Sequence, residues 1–171
     1  MTARVLTLGG IVQDLRMAGV EHPLVLGFPD IADYLDRGLY VGALVGRCAN
    51  RIAQGRISVE GHSYELDRNF RARHTLHGGR DGMAVQIWQV LQTGSDHVVL
   101  GLTLPDGHMG FPGTLQITAR IALQADGLVI DLQATSDAAT PCNLAHHGYF
   151  DLDGQGDIRT HILQLDADRY L

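Results

Sequence analysis

The chain has 171 residues, of which 45% are hydrophobic, a size and composition typical of one globular domain with its own core. Its net charge of −6 argues against a nucleic-acid partner, because such proteins usually present a basic face. All 13 basic residues are Arg, so the Lys needed for Schiff-base catalysis or for a P-loop is missing. Neither a long apolar run nor a secretory pattern is present. We therefore expect a cytoplasmic protein without a membrane partner.

Short strands separated by turns dominate the chain from its start. The segment "ARVLTLGG" already has a strand pattern close to the N-terminus. One short helix is predicted at "IADYLDR", where Asp30 is a suitable N-cap residue and Gly38 a suitable end. Everything that follows the helix is predicted to be strand or turn.

Three hairpins are predicted after the helix. The segment "RISVEGHSYEL" alternates apolar and polar residues on both sides of a turn at residues 60–61. The pairs "VQIWQVLQT" with "HVVLGLTL" and "TLQITARIAL" with "LVIDLQAT" flank turns at residues 94–96 and 125–127. Recurring strands with turn residues between them predict an all-β fold, an antiparallel sandwich or barrel.

Both ends of the chain are abrupt, because the strand pattern is already present at its start and is still present at its end. The last residues, "LDADRYL", stop without a closing element. We expect residues 1–171 to form a single β-sandwich domain that is truncated at both ends, with a small complete domain as the alternative. An incomplete sandwich would leave strand edges uncovered and would favour self-association.

The segment "VGRCANRIAQG", residues 45–55, is the first candidate site. Its Arg and Asn side chains offer fixed hydrogen-bond donors, and Asn50 also offers an acceptor, which suits sugar hydroxyls. The alternative is a surface loop with solvated Arg side chains at Arg47 and Arg51.

The segment "HTLHGGRDG", residues 74–82, is the second candidate site. Two Gly follow His77 and would allow a backbone or a ligand to approach closely. A zinc site at His74 and His77 is disfavoured, because Gly-Gly argues against a helix and no Cys or carboxylate lies at ligand spacing. We therefore predict no metal, and a hydrogen-bonded His in a turn is the alternative to a functional one.

The third candidate site is "PCNLAHHGYFDLDG", residues 141–154, which contains two adjacent histidines. Its apolar and aromatic residues predict a buried strand. Successive side chains of a strand point to opposite faces, so His146 and His147 are not expected to serve one site together. Either ring could act as a general acid or base near neutral pH, and a hydrogen-bonded, half-buried pair is the alternative.

Four blocks, "VGRCANRIAQG", "LHGG", "DGHMGFPG" and "NLAHHGYFDL", resemble the galactose mutarotase (aldose 1-epimerase) family in the same order. The resemblance extends over the whole chain. It implies a large antiparallel β-sandwich that interconverts the α and β anomers of free hexoses such as galactose or glucose. It implies no metal or organic cofactor, and a monosaccharide as the ligand.

Residue roles follow from the same resemblance. It implies that His147 is the catalytic acid, which protonates the ring oxygen, and that His77 is the second active-site histidine. Asn50 and Arg51 match the sugar-binding pair, and His77 would share that role. The chain departs from the family pattern at His146, where Asn is usual. It departs again at Gly148 and Asp151, where a hydroxyl residue and Asn are usual, and this indicates an altered sugar preference.

No Glu of this chain matches the catalytic base of the family. The family uses a Glu downstream of the Tyr-Phe block, and neither Glu21, Glu60 nor Glu65 fits that motif. Two alternatives to an epimerase of free hexoses therefore stay open. One is a sugar-binding or regulatory module that has lost catalysis. The other is a hexose-6-phosphate 1-epimerase, in which the phosphate would need a basic cluster such as Arg71, Arg73 and Arg80.

Overall fold

Strands form most of the regular structure in a computed structural model that describes residues 1–36 and 40–169. The strands are β1 (Thr2–Val5), β2 (Val12–Arg16), β3 (Leu44–Val45), β4 (Arg51–Ile52), β5 (Arg56–Val59), β6 (His62–Glu65), β7 (Thr75–Leu76), β8 (Gln89–Thr93), β9 (His97–Leu104), β10 (Leu115–Leu123), β11 (Leu128–Ser136) and β12 (Ala145–His146). The helix α1 is Ala32–Asp36. Short 3₁₀ turns lie at Ala53–Gly55, Met83–Val85 and His108–Gly110. The all-β prediction is confirmed.

A four-stranded antiparallel sheet in the order β11-β10-β9-β8 is the largest element of the fold. The three predicted hairpins are confirmed as β5–β6, β8–β9 and β10–β11. The strand predicted from Val85 begins only at Gln89. The residues before it bond elsewhere, since the Trp88 backbone N–H donates to the Thr7 carbonyl at 2.8 Å.

The main core lies on one face of this sheet. Along β10, Ile117, Ala119 and Ile121 are buried, whereas the residues between them are more exposed. This alternation is what a strand with one face against a core produces. Trp88, which directly precedes β8, and Leu44 from β3 pack into the same cluster, so the core connects the sheet to the segment that precedes the candidate site.

The predicted helix is confirmed near its expected start. The Asp30 carboxylate accepts a hydrogen bond from the Ala32 backbone N–H at 2.9 Å, as an N-terminal cap does. Tyr34 is the residue of α1 that is buried, and its hydroxyl accepts the Phe28 backbone N–H at 2.9 Å. The predicted end at Gly38 lies outside the described residues. No helix in the described ranges is long and apolar enough to span a membrane.

The buried strand predicted over residues 141–154 is wrong in length and in burial. Regular pairing with β3 is limited to Ala145–His146. Tyr149 and Phe150 are each 45% exposed. The chain changes its partner after the histidines, because the Tyr149 carbonyl accepts the Leu26 backbone N–H at 2.9 Å. The segment therefore crosses from one neighbour to another instead of continuing one ladder.

Candidate active site

Asn50 and His77 lie side by side because β4 pairs with β7. The His77 backbone N–H donates to the Asn50 carbonyl at 3.0 Å, and the Asn50 backbone N–H donates to Nδ1 of the His77 ring at 3.1 Å. Since Nδ1 accepts a hydrogen bond, the neutral ring carries its proton on Nε2. The backbone of one candidate residue thereby fixes the tautomer of the other.

His147 lies at the same place because its backbone bonds to the residues that directly precede β3. Its backbone N–H donates to the Ala43 carbonyl at 2.8 Å, and its carbonyl accepts the Gly42 N–H at 3.0 Å. Its ring lies edge-on to that of His77, with 5.0 Å between centroids and 82° between planes. The structure therefore unites two histidines that are 70 positions apart in the sequence.

His146 has a different environment. Its Nε2–H donates to the Gly42 carbonyl at 3.2 Å, and burial lowers the pKa of its ring. The two adjacent histidines contact different groups, as expected for successive residues of a strand. His146 is thus a hydrogen-bonded, half-buried residue, and His147 is the one that faces the second histidine.

Electrostatics keep His77 neutral. Burial, followed by the nearby His147 and Arg51, lowers the pKa of His77 to about 4. Positive neighbours and desolvation both disfavour the imidazolium. At neutral pH, His77 is therefore a hydrogen-bond donor through Nε2 and is not a cation.

We expect the His77 ring to titrate with a midpoint near pH 4 instead of the ordinary 6.5. Between these values the unfolded chain binds the proton and the folded chain does not, so the contribution of His77 to stability falls as the pH drops from about 6.5 to about 4. NMR titration of the His77 ring Hε1 resonance measures this. A midpoint at or above 6.5 would contradict the placement of His77 in this cluster.

Close backbone packing requires the two glycines after His77. Gly78 has a φ of +86°, and a Cβ there would lie 1.9 Å from the Gly46 carbonyl oxygen. A Cβ on Gly79 would lie 2.9 Å from the Met109 side chain. The predicted close approach of another backbone is confirmed, and it positions His77 against the segment that carries Asn50.

Arg47 and Arg51 differ sharply, although they share one segment. Arg47 is 1% exposed, so the surface-loop alternative is wrong for this residue. The Arg47 guanidinium donates to backbone carbonyls, among them Gly113 at 2.7 Å. Arg51 is exposed and donates to the Asn50 side-chain oxygen at 2.6 Å. Only Arg51 is therefore available to a ligand beside His77.

Tyr40 is a site residue that sequence reasoning missed. Its ring centroid lies 4.6 Å from that of His77 and 6.0 Å from that of His147. Its hydroxyl accepts a hydrogen bond from the Asn69 amide at 3.4 Å, and its φ is +68°. A single Tyr in a loop has no sequence signature of a site, and only the folded backbone places it against both histidines.

Comparison with known proteins identifies the family. The family model described as Aldose 1-epimerase matches residues 1–171. The galactose mutarotase of Rattus norvegicus is 42% identical over 157 residues, which cover 90% of this chain and 45% of the relative. The aldose 1-epimerase of Escherichia coli K12 is 38% identical over 155 residues, or 90% of this chain and 44% of the relative. The chain thus spans less than half the length of these relatives.

Solved structures agree with this result. The GalM/aldose epimerase homologue of C. elegans matches with a TM-score of 0.82 and 29% identity, over 89% of this chain and 48% of that protein. The galactose 1-epimerase of Lactobacillus acidophilus matches with a TM-score of 0.77 and 29% identity, over 88% and 45%. These matches confirm the predicted β-sandwich of the mutarotase type. The chain belongs to the aldose 1-epimerase family.

Proposed function

We propose that the protein is an aldose 1-epimerase, which interconverts the α and β anomers of a free hexose such as galactose or glucose. The observation that carries the proposal is the edge-on pair of His77 and His147, with 5.0 Å between ring centroids. Asn50 adjoins His77 through the hydrogen bonds of its backbone, and Arg51 donates to the Asn50 side-chain oxygen. The relatives named galactose mutarotase and aldose 1-epimerase support the same reaction.

The reaction requires one proton transfer on each side of the C1–O5 bond that breaks. Ring opening delivers one proton to the ring oxygen O5 and removes one from the C1 hydroxyl, and the ring then closes on the other face of the aldehyde. A positioned acid or base contributes about 10²–10⁴-fold to such a step. We assign the acid to His147. The neutral His77, a donor through Nε2, would hold the ring oxygen or a hydroxyl together with Asn50 and Arg51.

The base is not among the contacts of the two histidines. The groups that lower the pKa of His77 are His147 and Arg51, and no carboxylate contributes. Within residues 1–36 and 40–169, no Asp or Glu forms a hydrogen bond or an ion pair with either ring. We therefore assign the acid to His147, and we assign the role of the base to no carboxylate that contacts the two rings.

Polarimetry of freshly dissolved α-D-galactose, with and without acetate as an external carboxylate base, tests the proposal. Without acetate we expect the 171-residue chain to mutarotate galactose slowly or not at all. A rate well above that of buffer, abolished by His147→Ala, would contradict the expectation that this chain lacks a catalytic base. The part of the rate that depends on acetate tests whether His147 acts as the acid.

The two alternative functions are less well supported. The relatives are named for the epimerase reaction, and their names indicate neither a non-catalytic sugar-binding module nor a phosphohexose epimerase. The basic cluster suggested for a phosphate also loses one member to an ion pair, because Arg80 donates to the Asp67 carboxylate at 2.8 Å. A cytoplasmic location fits the proposed reaction on a free hexose and the free thiols of Cys48 and Cys142.

Self-association is a separate proposal, and exposed apolar side chains support it. Ile162 is 95% exposed, and Leu163 is 82% exposed. Leu26, Phe150 and Ile158 line one apolar cavity of about 510 Å³. Exposed apolar surface of this kind promotes association between chains. Light scattering on the purified chain should find oligomers, and a monomer at high concentration would contradict the proposal.

A further inference from the structure

Tyr40 lies where the two histidines of the candidate active site meet. Its ring plane makes an angle of 57° with that of His77, at 4.6 Å between centroids, and an angle of 31° with that of His147, at 6.0 Å. The two histidine rings are themselves 5.0 Å apart, so the three rings contact one another pairwise. Such rings pack in few orientations, because each offers an edge or an offset face to the next. Tyr40 is therefore a neighbour that both histidines share.

The Asn69 side chain connects the Tyr40 ring to the backbone next to His77. Its amide donates to the Tyr40 hydroxyl at 3.4 Å and to the Leu76 carbonyl at 2.9 Å. The Leu76 backbone N–H donates back to the Asn69 side-chain oxygen at 2.8 Å. Since Leu76 directly precedes His77, one amide group orients both the Tyr40 ring and the backbone that carries His77.

The backbone of Tyr40 is connected to His147 by two hydrogen bonds. The Tyr40 carbonyl accepts the Ala43 backbone N–H at 3.1 Å, and the Ala43 carbonyl accepts the His147 backbone N–H at 2.8 Å. Tyr40 has a φ of +68°, a left-handed conformation that is uncommon for a residue with a side chain. Such a conformation persists only where the surrounding structure fixes it. The turn that carries Tyr40 thus also holds the backbone of His147.

The ring of Tyr40 is better placed to act on the site than its hydroxyl. Burial raises the pKa of this hydroxyl, although the Asn69 hydrogen bond opposes the effect, so the phenol is neutral at neutral pH. The hydroxyl bonds to the Asn69 amide and to neither histidine among the described hydrogen bonds. The half-buried ring covers one side of His77 and contributes to the burial that lowers the pKa of His77.

We propose that Tyr40 is a positioning residue of the candidate active site, whose ring holds His77 and His147 edge-on so that both face the same sugar. The inference rests on the proposed function, because it gives Tyr40 a part in the epimerase reaction. It adds a residue that lies outside the four motifs of the sequence and that acts through the two histidines, without contact to the reacting atoms.

NMR spectroscopy of the 171-residue chain with Tyr40→Ala and Tyr40→Phe tests the positioning directly. In Tyr40→Ala we expect the titration midpoint of His77 to rise by about 1 pH unit, because water reaches the uncovered ring. We also expect loss of the nuclear Overhauser effect between the ring protons of His77 and His147, which the 5.0 Å between centroids predicts for the unchanged chain. Tyr40→Phe keeps the ring and should preserve both signals. If Tyr40→Ala does not fold, Tyr40→Leu replaces it, with the same loss of the Overhauser effect expected.

Polarimetry with acetate measures the consequence for the reaction. Tyr40→Ala should lower the acetate-dependent rate at saturating galactose by about tenfold and leave KM nearly unchanged, because a misplaced acid slows the chemical step more than it weakens sugar binding. Tyr40→Phe should recover most of this loss. Tyr64→Ala is the matched control and should keep the rate, since Tyr64 is a half-buried tyrosine paired with Ile57 in the β5–β6 hairpin, and no described ring contact joins it to either histidine.

Three outcomes would overturn the role of Tyr40. The first is an unchanged His77 midpoint and Overhauser effect in folded Tyr40→Ala. The second is an equal loss of rate in Tyr40→Phe and Tyr40→Ala, which would assign the effect to the hydroxyl. The third is an equal loss in Tyr40→Ala and Tyr64→Ala. A chain without any acetate-dependent rate would overturn the proposed function instead, and the NMR signals would still decide whether Tyr40 holds the two rings.

Discussion

Replacement of Arg47 by Ala should destabilise the chain by about 3–5 kcal/mol, because it empties a buried site and leaves several carbonyls without a donor. The Arg47 side chain is 1% exposed. Its Nη1 donates to the carbonyls of Pro112 and Gly113 at 2.8 and 2.7 Å and to the Thr140 hydroxyl at 3.1 Å. These groups lie far from residue 47 in the sequence, so one guanidinium joins three separate segments next to the candidate site.

Urea denaturation followed by circular dichroism measures this loss. The matched control is Arg56→Ala, since Arg56 forms an exposed ion pair with Glu65, and such pairs contribute about 0–1 kcal/mol. Arg47→Lys should recover only part of the stability, because an ammonium group cannot reach all the acceptors of the planar fork. Equal, small losses of unfolding free energy in Arg47→Ala and Arg56→Ala would contradict the claim that the Arg47 guanidinium holds these segments together.

Local pattern predicted much of the fold. The three hairpins follow from alternation on both sides of turn residues, and the start of the helix follows from a capping Asp30. These features depend on neighbours in the sequence, which periodicity reports directly. The same periodicity predicted that His146 and His147 would contact different groups, and their hydrogen bonds and ring contacts confirm it.

Features that depend on distant partners could not be predicted in this way. The strand after Pro141 ends early because the chain leaves β3 to bond with Leu26, a partner that no local pattern indicates. Arg47 is buried because carbonyls from distant loops surround it, against the general tendency of Arg to be exposed. Tyr40 joins the histidines only through tertiary packing. The roles of His77, His147, Asn50 and Arg51 stay predictions until they are measured.

Replacement of His147 should remove most of the catalytic rate, because His147 is the proposed acid. With the carboxylate base supplied by acetate, we expect the chain to accelerate galactose mutarotation above the sum of the rates with acetate alone and with the chain alone. His147→Ala should lower this acetate-dependent rate by about 10²-fold, the lower end of the contribution of a positioned acid. His147→Gln keeps a hydrogen-bonding side chain but cannot donate the proton as an acid, so it should show a similar loss without an emptied site.

The central claim is that His147 is the proton donor of an epimerase site formed with His77. Its most direct test is the acetate-dependent polarimetric rate of the chain compared with His147→Gln and with His62→Ala, a control at an exposed histidine of β6. Circular dichroism should confirm that all three are folded. We predict a rate that His62→Ala preserves and that His147→Gln loses. An acetate-dependent rate that is equal in all three proteins would contradict the claim.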